Sequence, residues 1–164
     1  MILPIATAWW APILQTAIGA IAAIGGGACV SWITWQKERQ SLANALAGEI
    51  QGFIGVLNWR NARELLQQGY QFPIDEGAFP VFAACVGKIG LLPSDLAGKV
   101  TEFYGYAAGI VRDFKTLDTR DLNHIQAAKF RTNLVKGIDD LEAKATILVP
   151  ELRKEAARSW IESP

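Results

Sequence analysis

Residues 12–35 read PILQTAIGAIAAIGGGACVSWITW, and this apolar run decides how the rest of the chain is interpreted. No charged side chain occurs before Lys37. As an α-helix the run is about 36 Å long at ~1.5 Å per residue, which exceeds the roughly 30 Å hydrocarbon core of a bilayer. Because backbone groups in hydrocarbon must be paired within their own segment, the run predicts one membrane-spanning helix.

Tryptophans occur at both ends of the run. They are Trp9 and Trp10 on the N-terminal side, and Trp32 and Trp35 on the C-terminal side. Indole rings prefer the headgroup level of a bilayer. The two pairs therefore predict two positions at the membrane interface, with the lipid bilayer as a partner.

The basic residues near the run set its expected orientation. Lys37 and Arg39 follow it and none precedes it, which favours a C-terminal domain in the cytoplasm and a place in the bacterial inner membrane. A cleaved signal peptide is the alternative, but the basic n-region is missing and the apolar core is long. A lipoprotein signal at Gly27-Ala28-Cys29 is a further alternative, although the apolar run continues past the cysteine.

Small residues recur every four positions within the run, namely Gly19, Ala23, Gly27 and Ser31. Positions i and i+4 lie on one helix face. Small side chains on one face allow close packing of membrane helices. The stripe predicts contact with other transmembrane helices, either in a hetero-complex or in a homo-oligomer.

The chain after residue 36 carries a helical pattern of apolar residues. Three stripes step by three and four residues: Ala43, Leu46, Ile50, Phe53 and Leu57; Leu96, Val100, Phe103, Ala107, Ile110, Phe114 and Leu117; and Leu134, Ile138, Leu141, Ala145, Leu148 and Leu152. They predict helices near 37–68, 94–117 and 119–149, with Gly69 as a C-cap and Pro150 as a kink or an end. A short helix is expected over 79–92.

The expected fold is all-α. A single N-terminal transmembrane helix (residues 1–36 with its flanking segment) continues into a three- to four-helix antiparallel bundle over 37–150. Residues 151–164 form a tail or a short helix.

Three short stretches carry a resemblance to other proteins. These are 79–82 (FPVF), 88–93 (KIGLLP), and Val100 with Phe103-Tyr104. Over residues 10–117 the chain resembles a group of bacterial proteins that have one N-terminal membrane helix and a cytosolic helical domain. The resemblance implies this topology and no catalytic residues.

Composition and residue spacing disfavour nucleic-acid binding, metal binding and catalysis. The 16 basic and 16 acidic residues balance and form no block of one sign, which disfavours nucleic acid as a partner. Cys29, Cys85 and His124 have no metal-ligand spacing. Asp139, Asp140 and Glu142 are interpreted as the wet face of a helix.

No catalytic, cofactor-binding or metal-binding residue and no small-molecule substrate is predicted. The sequence favours a non-enzymatic single-pass membrane protein that acts by helix–helix contacts. Such a protein is an accessory or assembly subunit of a membrane complex, or a self-assembling scaffold. A membrane-anchored sensor or signalling bundle is the alternative.

Overall fold

The computed structural model describes residues 11–70, 77–119 and 124–158. The side chains of the first helix are described at Thr16 and from Gly25 onward. The elements are α1 (Ala11–Trp59), α2 (Ala62–Gln67), α3 (Pro80–Cys85), a 3-10 helix (Val86–Leu91), α4 (Ser94–Thr119) and α5 (His124–Ala157). No strand occurs in these ranges, so the prediction of an all-α helical bundle is confirmed.

The transmembrane part of the predicted fold is wrong. Among the residues that the structure describes, no helix combines the length and the apolar character needed to cross a bilayer. From Gly25 onward, α1 carries three consecutive glycines, then Ser31 and Thr34, and then charged residues from Lys37. That part of the helix therefore lacks the uninterrupted apolar length of about 20 residues that a span requires.

The chain divides into two compact units, Met1–Lys37 and Glu38–Pro164. In the first unit every residue from 25 to 34 is exposed. The rings of Trp32 and Trp35 contact each other there, with centroids 5.4 Å apart. The second unit contains the hydrophobic core.

The core of the second unit is built from the three predicted stripes. All five positions of the α1 stripe, all seven of the α4 stripe and all six of the α5 stripe are buried. Leu66 of α2 and Ile89 of the 3-10 helix close the same cluster. Burial of one face of each helix is the main stabilisation that such helices receive, so the periodicity predicted the core correctly.

Contacts along α4 and α5 run in opposite chain directions. They pair Lys99 with Glu151, Glu102 with Lys144, and Tyr106 with Asp140. Residue numbers rise on α4 while they fall on α5, so these two helices are antiparallel. The pairs Arg39–Glu155 and Asn58–Glu142 relate α1 to α5 in the same way.

The helix predicted over 37–68 is interrupted. α1 ends at Trp59, and Asn61 adopts the left-handed conformation with φ 47°, which asparagine tolerates better than most residues. α2 ends at Gln67, and Gly69, two residues later, adopts the left-handed conformation with φ 89°. The Tyr70 N–H donates to the Leu65 carbonyl at 2.9 Å, so the predicted C-cap at Gly69 is confirmed.

Helix α5 continues through Pro150 to Ala157, so residues 151–157 belong to α5 and do not form a separate tail. Proline removes one backbone hydrogen bond from a helix interior. Pro150 is exposed, whereas Leu148 and Leu152 on either side of it are buried. Their burial on one continuous face keeps the helix running past the proline.

Candidate functional site

Glu49 is the centre of a half-buried group of hydrogen bonds between α1, α3 and α4. Its carboxylate accepts the N–H groups of Val81 at 2.6 Å and Phe82 at 3.0 Å, and the Tyr104 hydroxyl at 2.7 Å. The Phe82 ring stacks on the Tyr104 ring with centroids 4.0 Å apart. α3 has no side-chain cap of its own, so Glu49 supplies acceptors for its first N–H groups.

The Glu49 cluster is structural. Burial, together with the hydrogen bond to Glu49, raises the pKa of Tyr104 well above its ordinary value. The hydroxyl therefore stays protonated and donates. A carboxylate that already accepts three hydrogen bonds from its own chain is not placed to take a proton from a substrate.

Arg39 and Glu155 form an ion pair whose side chains are 11% and 10% exposed. Next to it, the Gln40 Nε2 amide donates to the Arg158 carbonyl at 2.6 Å. These contacts join the part of α1 that begins the second unit to the end of α5. They hold the two ends of these helices together within the bundle.

Arg63 of α2 binds two acidic residues of α5. Its Nε lies 2.6 Å from Asp139 Oδ1, and its Nη2 donates to Glu142. The hydrogen bond to Asp139 raises the pKa of Arg63. The sequence predicted that these acidic residues form a solvated face, but Asp139 and Glu142 anchor α2. The remaining acidic residue, Asp140, accepts a hydrogen bond from Tyr106 of α4.

Metal chemistry finds no support in the described ranges. Within 11–70, 77–119 and 124–158 no three His, Cys, Asp or Glu side chains form a group that could hold a metal ion. Cys29 is exposed and Cys85 is half-buried, and both are free thiols.

The predicted contact residues are only partly covered by the description. Trp9 and Trp10 lie outside the described residues. Gly19 and Ala23 belong to the backbone of α1, but their side chains also lie outside the described part of the structure. Gly27 and Ser31 are both exposed, and a Cβ built on Gly27 meets no atom within 4 Å.

The predicted interfacial residues have three different environments. Trp32 is exposed, Trp35 is half-buried and Lys37 is exposed. Arg39 is buried in the bundle beside Glu155. A signal for this was present in the sequence, because Arg39 precedes the buried Leu42 by three residues and so lies on the face of the α1 stripe.

Segment 25–34 is the most unusual surface of the molecule. All ten residues are exposed, including Val30 at 65%, Ile33 at 52% and Trp32 at 48%. Burying a side chain of this size is worth about 1.5–3 kcal/mol. Three large apolar side chains exposed on one short stretch, with no charged residue among them, form an uncommon surface for a folded chain.

The chain matches no family model, no curated protein and no solved structure.

Proposed function

We propose that this protein is a non-enzymatic assembly or scaffold subunit that acts through helix–helix contacts made by segment 25–34. The observation that carries the proposal is the exposure of ten consecutive uncharged residues, among them Val30, Trp32 and Ile33. The partner is a helix of another protein chain, either a second copy or a different subunit.

The residues of the segment suit such a contact. Moving the side chains of valine, isoleucine and tryptophan out of water lowers the free energy. The cores of protein interfaces are depleted in charged residues, and the segment contains none. Gly27 and Ser31 lie one turn apart and leave room for close approach of a second helix.

The polar clusters of the second unit support a role without catalysis. Glu49, Arg63 and the Arg39–Glu155 pair are each engaged by groups of the same chain. Catalysis requires polar groups that converge on a space where substrate is held. In these clusters the polar groups instead pair with one another.

The test is a comparison of matched variants. We expect crosslinking or sedimentation to detect a larger assembly for the wild type, and Gly27→Leu to weaken it. Gly52→Leu is the control, because Gly52 is also exposed on α1 and its Cβ also meets nothing within 4 Å. Equal assembly of the two variants contradicts the proposal.

A second pair of variants tests the large side chains. Trp32→Ser combined with Ile33→Ser should abolish the assembly, because both apolar contacts are lost. Trp59→Ser removes a tryptophan that is 80% exposed outside the segment and should leave assembly intact. A wild-type protein that sediments only as a monomer, and that captures no second protein when crosslinked in its native cells, overturns the proposal.

The sensor alternative has one observation in its favour, which is that α1 is continuous over 49 residues. In a sensor, binding at segment 25–34 changes the bundle. Hydrogen exchange distinguishes the two functions: a scaffold gains protection only within the segment, whereas a sensor also changes the exchange of amides in residues 38–59 of α1.

A further inference from the structure

A cleft with a volume of about 270 Å³ lies between α4 and α5 in the second unit. Gly105, Gly109 and Ile110 of α4 form one side, and Leu134 and Gly137 of α5 form the other. Asp113, Phe130 and Asn133 also line it. Tyr106 of α4 completes the lining, so the cleft reaches the hydrogen bond between Tyr106 and Asp140.

Two glycines keep the cleft open without a packing reason within the chain. A Cβ built on Gly105 or on Gly109 meets no atom within 4 Å, so an alanine fits at either position. Glycine in a helix interior is less stable than alanine by about 1 kcal/mol. Gly137 differs, because its Cβ would already touch Ile110 at 3.4 Å.

The charge on the cleft lining is negative. Asp113 is exposed, and within the described residues no side chain forms an ion pair or hydrogen bond with its carboxylate. A basic residue near the cleft, Lys144, is held by Glu102 at 2.6 Å. The Tyr106 hydroxyl donates to a second carboxylate, Asp140, at 3.3 Å.

The apolar part of the lining suits a ring. Ile110 and Leu134 form apolar walls, and Phe130 adds an aromatic ring. The volume holds roughly nine waters at about 30 Å³ each, which is the room taken by a ligand of about ten non-hydrogen atoms.

We propose that the cleft between α4 and α5 binds a small organic cation with an aromatic body, of which a protonated arylalkylamine is the simplest example. The ammonium group pairs with Asp113, and the ring lies among Ile110, Phe130 and Leu134. This site is independent of the proposed contact function.

The probe is phenethylamine, which is protonated at neutral pH, compared with 2-phenylethanol and 3-phenylpropanoate. Binding is followed by amide chemical shifts of α4 and α5 in the full chain. We expect a Kd of about 1 mM or tighter for the amine, and binding at least about tenfold weaker for the neutral and anionic analogues, which cannot make the charge-assisted hydrogen bond. Equal binding of the amine and the alcohol overturns the proposal, as does no binding of the amine.

Two substitutions locate the site. Gly109→Leu fills the cleft and should abolish binding, while Gly98→Leu, an exposed position with equal room on the same helix, should preserve it. Asp113→Asn should weaken amine binding about tenfold through loss of the charged acceptor, whereas Glu64→Gln, an exposed carboxylate of α2, should not. Binding of the amine that persists unchanged in Gly109→Leu, with the helical circular dichroism of the wild type, overturns the proposal.

Discussion

Helix α1 exposes one stretch of apolar residues and buries another. Over residues 42–57 its stripe is buried, with Leu46 and Ile50 fully inaccessible. Over residues 25–34 every residue is exposed. The buried stretch has one solvent-exposed face and one buried face, whereas segment 25–34 has no buried face and contains no charged residue. Helix α1 therefore has one stretch packed into the bundle and one uncharged stretch exposed to solvent, and the exposed stretch is the one that the proposed contact would use.

The largest effect is expected from a substitution in the buried part of α1. Arg39→Met removes the closer cation of the buried Glu155 carboxylate and leaves it only the longer contact with Arg158 at 3.8 Å, which should lower the free energy of unfolding by about 3–4 kcal/mol. Chemical denaturation followed by circular dichroism measures it. The control is Lys144→Met, whose solvent-exposed pair with Glu102 should contribute much less than the buried pair.

The double variant Arg39→Met with Glu155→Leu sharpens this result. An apolar pair can replace a buried ion pair with little loss, so stability should recover in part. A single variant that is as stable as the wild type means that Arg39 does not hold the bundle together.

Glu49→Ala should destabilise the bundle by about 2–3 kcal/mol, because the buried Tyr104 hydroxyl and two N–H groups of α3 lose their acceptor. Thermal or denaturant unfolding measures the change. Glu64→Ala removes an exposed carboxylate of α2 and serves as the matched control. Equal unfolding midpoints for the two variants contradict the role of Glu49 as a cap for α3.

Stability should fall at alkaline pH through Tyr104. Its pKa is raised in the folded protein above the ordinary value of 10.0, so folding favours the protonated phenol. That contribution is complete below pH 10 and is lost as the pH rises toward the folded pKa, by up to about 1.4 kcal/mol per pH unit. Unfolding measured near pH 9 and pH 11 should therefore show a smaller decrease for Tyr104→Phe than for the wild type. An unchanged decrease assigns the effect to other groups.

The smallest effect on stability is expected from substitutions in the exposed segment 25–34. Trp32→Ser with Ile33→Ser should change the free energy of unfolding of the monomeric bundle by no more than about 0.5 kcal/mol, as is usual for surface positions. Denaturation at a concentration where the protein is monomeric measures it. A large loss of stability would mean that these side chains serve the fold of the chain and not a partner.

The sequence predicted the bundle from its periodicity because each helix buries one face, and the stripes of α4 and α5 lie in the core as expected. Hydropathy misled at residues 12–35, because the absence of charge hides the interruption of the apolar run by three glycines, Ser31 and Thr34. The role of Glu49 was beyond prediction, since its hydrogen-bond partners on α3 and α4 are distant in sequence. Glu155 as the partner of Arg39 was beyond prediction for the same reason. The break at Asn61 was missed because one asparagine is a weak signal beside a strong helical pattern.

The cap that Glu49 provides to α3 has a consequence for the order of folding. A helix of six residues does not persist alone in water, and its acceptor comes from a residue more than thirty positions earlier in the chain. α3 therefore forms after α1 and α4 have docked. We expect substitutions on α3 to accelerate unfolding while leaving the refolding rate nearly unchanged, with φ-values near zero. α3 then folds late, after the long helices have packed against each other.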